Sequence, residues 1–145
     1  MKKFNFAEIK DFIKNTGEGS SIYVGCDSKV FSSYTIFVSV IVVHINSSNG
    51  CKIFYQKDKI NRGLSIRDRL LKEVDFAVYT ALSILDIIGN RRLEVHLDIN
   101  PNENYKSNMI VKEAIGYVLA QGLKPVLKPN SIAAYSVADY IVKNF

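Results

Sequence analysis

The spacing of apolar residues changes character once along this chain, and that change limits the folds open to it. Residues 21–29, 34–45 and 51–57 read as strands rich in β-branched and aromatic side chains. Asn46-Ser47-Ser48-Asn49-Gly50, between the second and third, is strong turn chemistry. Short connections make these three strands an antiparallel meander. After residue 64, helix and strand patterns alternate. Ser65-Ile66-Arg67-Asp68 has the form of a capping box with Asp in place of Glu, and it opens a helix that runs to Ile88-Gly89. Residues 92–99 read as a fourth strand and 107–121 as a helix closed by Gly122. Residues 124–128 read as a short fifth strand that Pro125 confines to an edge, and Ser131 is expected to cap a last helix. The closing β-α-β unit makes strands four and five parallel. The expectation is an α/β fold on a five-stranded mixed sheet, three antiparallel strands and then two parallel, flanked by helices. Phe4, Phe6, Ile9, Phe12 and Ile13 fall at helical spacing and Thr16-Gly17 ends that segment. Residues 1–19 are therefore expected to form an amphipathic helix packed on a domain of residues 20–145.

Several function classes are excluded early. The longest apolar run, residues 34–45, carries Thr35, Ser39 and His44 and falls short of the roughly 18–20 residues of a membrane span, so no membrane partner is expected. Met1-Lys2-Lys3-Phe4 lacks the apolar stretch of a signal peptide, which leaves a cytoplasmic location. Two cysteines, Cys26 and Cys51, are too few for a disulfide scaffold and read as free thiols. No HExxH pattern, Gly-rich phosphate loop or visible Ser–His–acid pairing is present. The net charge of +5 leans toward polyanionic partners. The excess is concentrated in residues 52–73, where seven Lys or Arg face three acids, although a solvated face also accounts for such a run.

Four carboxylates stand apart from the other acids. In the first long strand Tyr23, Gly25 and Asp27 share a face, and Gly25 would let a ligand or another backbone come close. In the fourth, Glu94, His96 and Asp98 share one. Asp27 and Asp98 both end apolar strands; if those strands are parallel neighbours, about 4.8 Å apart, the two acids share the sheet edge where α/β proteins place ligands. An Asp at a strand end also serves simply to cap a turn. On the long helix, taking Leu70 as zero at about 100° per residue, Glu73 falls near −60° on the margin of the apolar arc, while Asp68 and Asp75 point to solvent. A buried Glu73 needs a partner, either a basic side chain or a metal. Asp139 falls about 140° from Ala134, off the apolar stripe of its helix, where a plain surface acid would sit. Carboxylates that converge cannot all ionise without compensating cations, and oxygen-only ligands suit Mg²⁺ or Mn²⁺. Such a pair of ions can activate water and stabilise the leaving oxygen in phosphodiester hydrolysis. Lys106, Asn108 and Lys112, at the start of the helix after Asp98, could hold phosphates there. His96, on the face of Asp98, stands as either a proton shuttle or a structural histidine.

The order β-β-β-α-β-α-β-α, with these acids at these places, resembles the ribonuclease H-like fold over residues 20–145. More narrowly, Tyr23-Val24-Gly25-Cys26-Asp27-Ser28-Lys29, Val95-His96-Leu97-Asp98-Ile99-Asn100-Pro101, Tyr105-Lys106-Ser107-Asn108, and Lys128-Pro129-Asn130-Ser131 with Val137-Ala138-Asp139 resemble the bacterial YkuK-like group. The resemblance implies that strand one lies beside strand four, and that Asp27, Glu73, Asp98 and Asp139 form the acidic quartet of a two-metal nuclease acting on DNA or RNA. Val137-Ala138-Asp139 also resembles the terminal helix motif of the resolvase branch, in which the Asp is a metal ligand. Two other readings stay open: a catalytically silent nucleic-acid-binding or protein-interaction module on the same fold, and metal-dependent hydrolysis of a small phosphoester.

Overall fold

The computed structural model describes residues 2–102 and 110–144. In chain order the elements are β1 (Lys2–Lys3), α1 (Phe6–Lys14), β2 (Ser21–Val30), β3 (Thr35–His44), β4 (Cys51–Ile60), α2 (Ile66–Ile84), β5 (Arg92–His96), α3 (Val111–Ala120), β6 (Lys124–Val126) and α4 (Asp139–Asn144). They build one mixed sheet in the order β1-β4-β3-β2-β5-β6. The five expected strands are all present, with β2, β3 and β4 antiparallel and β5 and β6 parallel to β2's direction. A sixth, β1, pairs parallel with β4 through Lys2 and Lys3 alone, too short to carry a period that a sequence could reveal. Among the described residues no helix is long and apolar enough to cross a membrane.

Both faces of the sheet are covered, which is why β3 is apolar at successive positions rather than alternately. On one face Ile22, Val24, Cys26, Phe37, Ile41 and Phe54 pack against Ile9 and Ile13 of α1, the buried stripe of α2, and Ala114 and Val118 of α3. On the other, Val38, Val40 and Val42 meet Ala133, Ala138 and Ile141 of the C-terminal segment. Ser65 Oγ accepts the Asp68 amide at 3.1 Å, so the expected cap of α2 is present. At Gly89 (φ 60°) and Gly122 (φ 76°) the chain turns through the left-handed region after α2 and α3, as expected of glycines that end helices.

The last segment departs from expectation in two ways. Ser131 is wholly buried but its hydroxyl caps nothing; the helix begins with no side-chain cap. Residues Ala133–Ala138 wind as a π turn, and the Asp139 amide bonds back to Ala134 O, five residues earlier. A π turn takes roughly 4.4 residues, or about 82° per residue, so five steps carry Asp139 only about 50° from Ala134 rather than 140°. The acid that α-helical geometry turns away is thereby rotated back toward the sheet.

Candidate metal centre

Register brings the first two carboxylates together. β2 and β5 run parallel with Gly25 opposite His96, and the same register continued by two residues sets Asp27 beside Asp98. Glu73 reaches the same point from α2, on the margin of the stripe that packs on β2. Asp27, Glu73 and Asp98 each offer an oxygen within 4.8 Å of the others. Asp27 is 7% exposed and Glu73 5%, so water screens little of their repulsion. The fourth acid, Asp139, hydrogen-bonds with Asp27.

A glycine makes that fourth approach possible. A Cβ on Gly25 would stand 2.8 Å from the Ala134 nitrogen and 2.9 Å from the Ala133 carbonyl carbon. The close backbone approach expected at Gly25 is therefore that of the π turn, and it brings Asp139 against the strand that carries Asp27. Asp27, Glu73 and Asp98 lie far apart in sequence and meet at the carboxyl ends of two adjacent parallel strands, with Asp139 against Asp27.

The model of the family described as ribonuclease H-like matches residues 5–143. The chain belongs to the ribonuclease H-like family. It is also similar to the uncharacterized protein YkuK of Bacillus subtilis (strain 168), 26% identical over 152 aligned positions that cover 93% of this chain and 87% of the relative. No solved structure matches it at a significant level.

Within this ribonuclease H-like chain the electrostatics of the acids follow from burial. Desolvation, the hydrogen bond that protonated Asp27 donates to the Asp139 carboxylate and the charge of Asp98 push Asp27 up to about 8, against a smaller opposing effect of the Ser28 amide, which donates to its Oδ1 at 2.9 Å. Burial and the Asp27 charge likewise hold Glu73 well above the carboxylate range, opposed by the Ser28 hydroxyl, which donates to its Oε2, and by the Arg69 guanidinium. Ser28 thus holds two of the acids at once, through its amide and its hydroxyl. Asp98 is served differently. The β5–β6 ladder runs on past the strands, with Leu97 N–H to Val126 O at 2.9 Å and Lys128 N–H to Ile99 O at 3.1 Å. That pairing sets Lys128 Nζ 2.7 Å from Asp98 Oδ1. Burial works against the Lys128 charge, but Asp98, Asp27 and Asp139 outweigh it and raise its pKa. Lys143 Nζ stands 3.1 Å from Asp139 Oδ2, one helical turn on.

His96 is structural. Its Nδ1 accepts the Ala133 amide at 3.1 Å, its Nε2 lies 3.1 Å from Glu94 Oε1, and Tyr23 stacks on the ring at 4.8 Å. With Nδ1 accepting, the ring proton sits on Nε2, and no nitrogen remains free to shuttle. Burial lowers its pKa in spite of Glu94. Lys106 and Asn108 lie outside the described residues; Lys112 is exposed in the first turn of α3. Sequence reasoning did not single out Ser28, Lys128 or Arg69. Ser28 had a signal, since the neighbour of Asp27 must point to the opposite face, toward the helix carrying Glu73. Lys128 had none, because its place depends on a ladder three residues long.

The donor set suits a hard divalent cation. Asp27, Glu73 and Asp98 present only oxygen, burial holds Asp27 and Glu73 back from ionising, and a divalent ion would supply the missing positive charge.

Proposed function

We propose that this protein is a nuclease that hydrolyses phosphodiester bonds with Mg²⁺ or Mn²⁺ held by Asp27, Glu73, Asp98 and Asp139. One observation carries the reading: three carboxylates from separate segments converge within 4.8 Å, with a fourth against Asp27. When bound, divalent ions supply activation of a water and stabilisation of the leaving oxygen. The chain's own residues do the rest. Ser28 fixes Asp27 and Glu73 by two hydrogen bonds, so neither carboxylate must reorganise as charge builds. Lys128 balances Asp98 and puts a cation beside the place a phosphate would occupy. Gly25 admits the π turn that holds Asp139 in contact. The free thiols, Cys26 buried and Cys51 exposed, accord with a cytoplasmic location.

Comparing wild type with Asp98→Asn, in Mn²⁺ and over single-stranded, duplex, hybrid and branched substrates, tests the proposal. We expect cleavage to fall at least 100-fold in the variant. Equal residual cleavage by both proteins would overturn it. The Lys128–Asp98 ion pair favours a second reading, a catalytically silent nucleic-acid-binding module in which lysine replaces the metal. Salt-sensitive binding by wild type with no Mn²⁺-dependent cleavage on any substrate selects that reading.

A further inference from the structure

Sheet register sets a row of lysines beside the carboxylates. Asp27 pairs with Val38 and Val38 with Lys57; Lys29 pairs with Ile36 and Ile36 with Lys59. Paired residues share a face, so Lys29, Lys57 and Lys59 lie on the face of Asp27, past the end of the apolar patch that the C-terminal segment covers. Lys29 is about 7 Å from Asp27 along the strand and Lys57 about 10 Å across two strand spacings. All three are exposed, and among the described residues none forms an ion pair. Two aromatic rings order this end of the sheet. Phe31 and Tyr34 stack at 4.7 Å across the β2–β3 turn, with Lys29 Nζ 5.3 Å from the Phe31 centroid and Lys59 Nζ 4.4 Å from that of Tyr34. Each ring holds an ammonium in place at little cost in solvation. Three cations without an ion pair on one face, two of them held by rings, lead away from a carboxylate pocket and complement a chain of phosphates.

We propose that Lys57 together with Lys29 and Lys59, the latter two steadied by Phe31 and Tyr34, forms a track that binds the phosphate backbone of a nucleic acid and leads it to the carboxylate centre. The choice of polymer rests on the nuclease reading; the binding itself requires neither metal nor catalysis. Fluorescence anisotropy of a labelled 20-nucleotide DNA single strand, in EDTA and over a range of salt, separates the two. Loss of three contacts in Lys29→Gln/Lys57→Gln/Lys59→Gln is expected to reduce the slope of log K against log salt by about 2 and to weaken binding about 100-fold at 0.1 M salt. The same three charges removed at Lys3, Lys10 and Lys14 should leave the slope nearly unchanged. Phe31→Leu/Tyr34→Leu keeps every charge and should weaken binding about fivefold at the original slope. An unchanged slope in the first variant, or equal losses in both lysine variants, would overturn the track. Binding to phosphatidylserine vesicles but not to DNA would also overturn it, in favour of a membrane surface. Because the measurement is free of metal, equal residual cleavage by wild type and Asp98→Asn would sink the nuclease reading and leave this result standing.

Discussion

Lys128 Nζ lies 2.7 Å from Asp98, whereas Asp27 and Glu73 accept the amide and hydroxyl of Ser28. Lys128 therefore offsets the charge of Asp98, as Lys143 does that of Asp139, and a divalent ion must compete with Lys128 for Asp98. We expect Lys128→Gln to bind Mn²⁺ about tenfold more tightly by calorimetry, and to melt at a lower temperature than wild type when metal-free. The proton balance of the pocket gives a second expectation. Asp27 binds its proton up to about pH 8 in the fold but only to about 4 when unfolded, so the native state retains the extra proton between those limits. Stability of the metal-free protein must then fall as pH rises through that window, by at most about 1.4 kcal/mol per pH unit for each proton retained. Glu73, shifted in the same direction, adds to the fall. His96 acts in the opposite sense: its lowered pKa keeps it neutral in the fold while the unfolded chain takes up a proton below about 6.5. Below about 6.5 His96 offsets one of the two acids, so the metal-free protein should lose stability less steeply there and lose melting temperature more steeply from 6.5 to 8. Saturating Mn²⁺ should reverse that loss. A melting curve that rises over this range would show that the acids are not held protonated.

The C-terminal segment shows how an element can be required by one atom elsewhere. Gly25→Ala would place a methyl group 2.8–3.0 Å from the backbone of Ala133 and Ala134, and backbone cannot move aside as a flexible side chain can. We expect this substitution to cost about 1–3 kcal/mol, and to lower Mn²⁺-dependent cleavage further than the lost stability explains. Circular dichroism melts and a cleavage assay well below the melting temperature measure the two effects separately. The same segment marks the limit of what periodicity reveals. Alternation placed Asp27 and Asp98 on one face, and helical spacing turned Glu73 inward, because those elements follow regular geometry. At α-helical spacing Asp139 turns toward solvent, and only its likeness to a family motif joins it to the other three. Five steps of π winding, from Ala134 to Asp139, supply the missing rotation. Nothing in Ala133-Ala134-Tyr135-Ser136-Val137-Ala138 announces that winding, and the strand it lies against at Gly25 is more than 100 residues away in sequence.

Across the whole molecule, parallel strands β2 and β5 point their carboxyl ends at one place, and helices on both faces deliver the remaining acids there. A cation bound in that place would tie α2, β2, β5 and the C-terminal segment together. At 100 times its dissociation constant it would add about 2.7 kcal/mol, or roughly 8 °C in melting temperature for a chain of this size. Glu73→Gln should abolish most of that gain in a thermal shift with Mn²⁺. The antiparallel meander and the β-α-β return were legible from turn residues and the change of period, whereas β1 was not, since two residues carry no period. The three-residue strand β6, with Pro125 at its centre, is the briefest register in the sheet apart from β1, and it alone determines which side chain meets Asp98. A slip of one position there would send Lys128 to the opposite face and offer Leu127 or Pro129 in its stead. An insertion or deletion between Gly122 and Lys128 would therefore act as a charge substitution in the pocket, while leaving every acidic residue of the centre untouched.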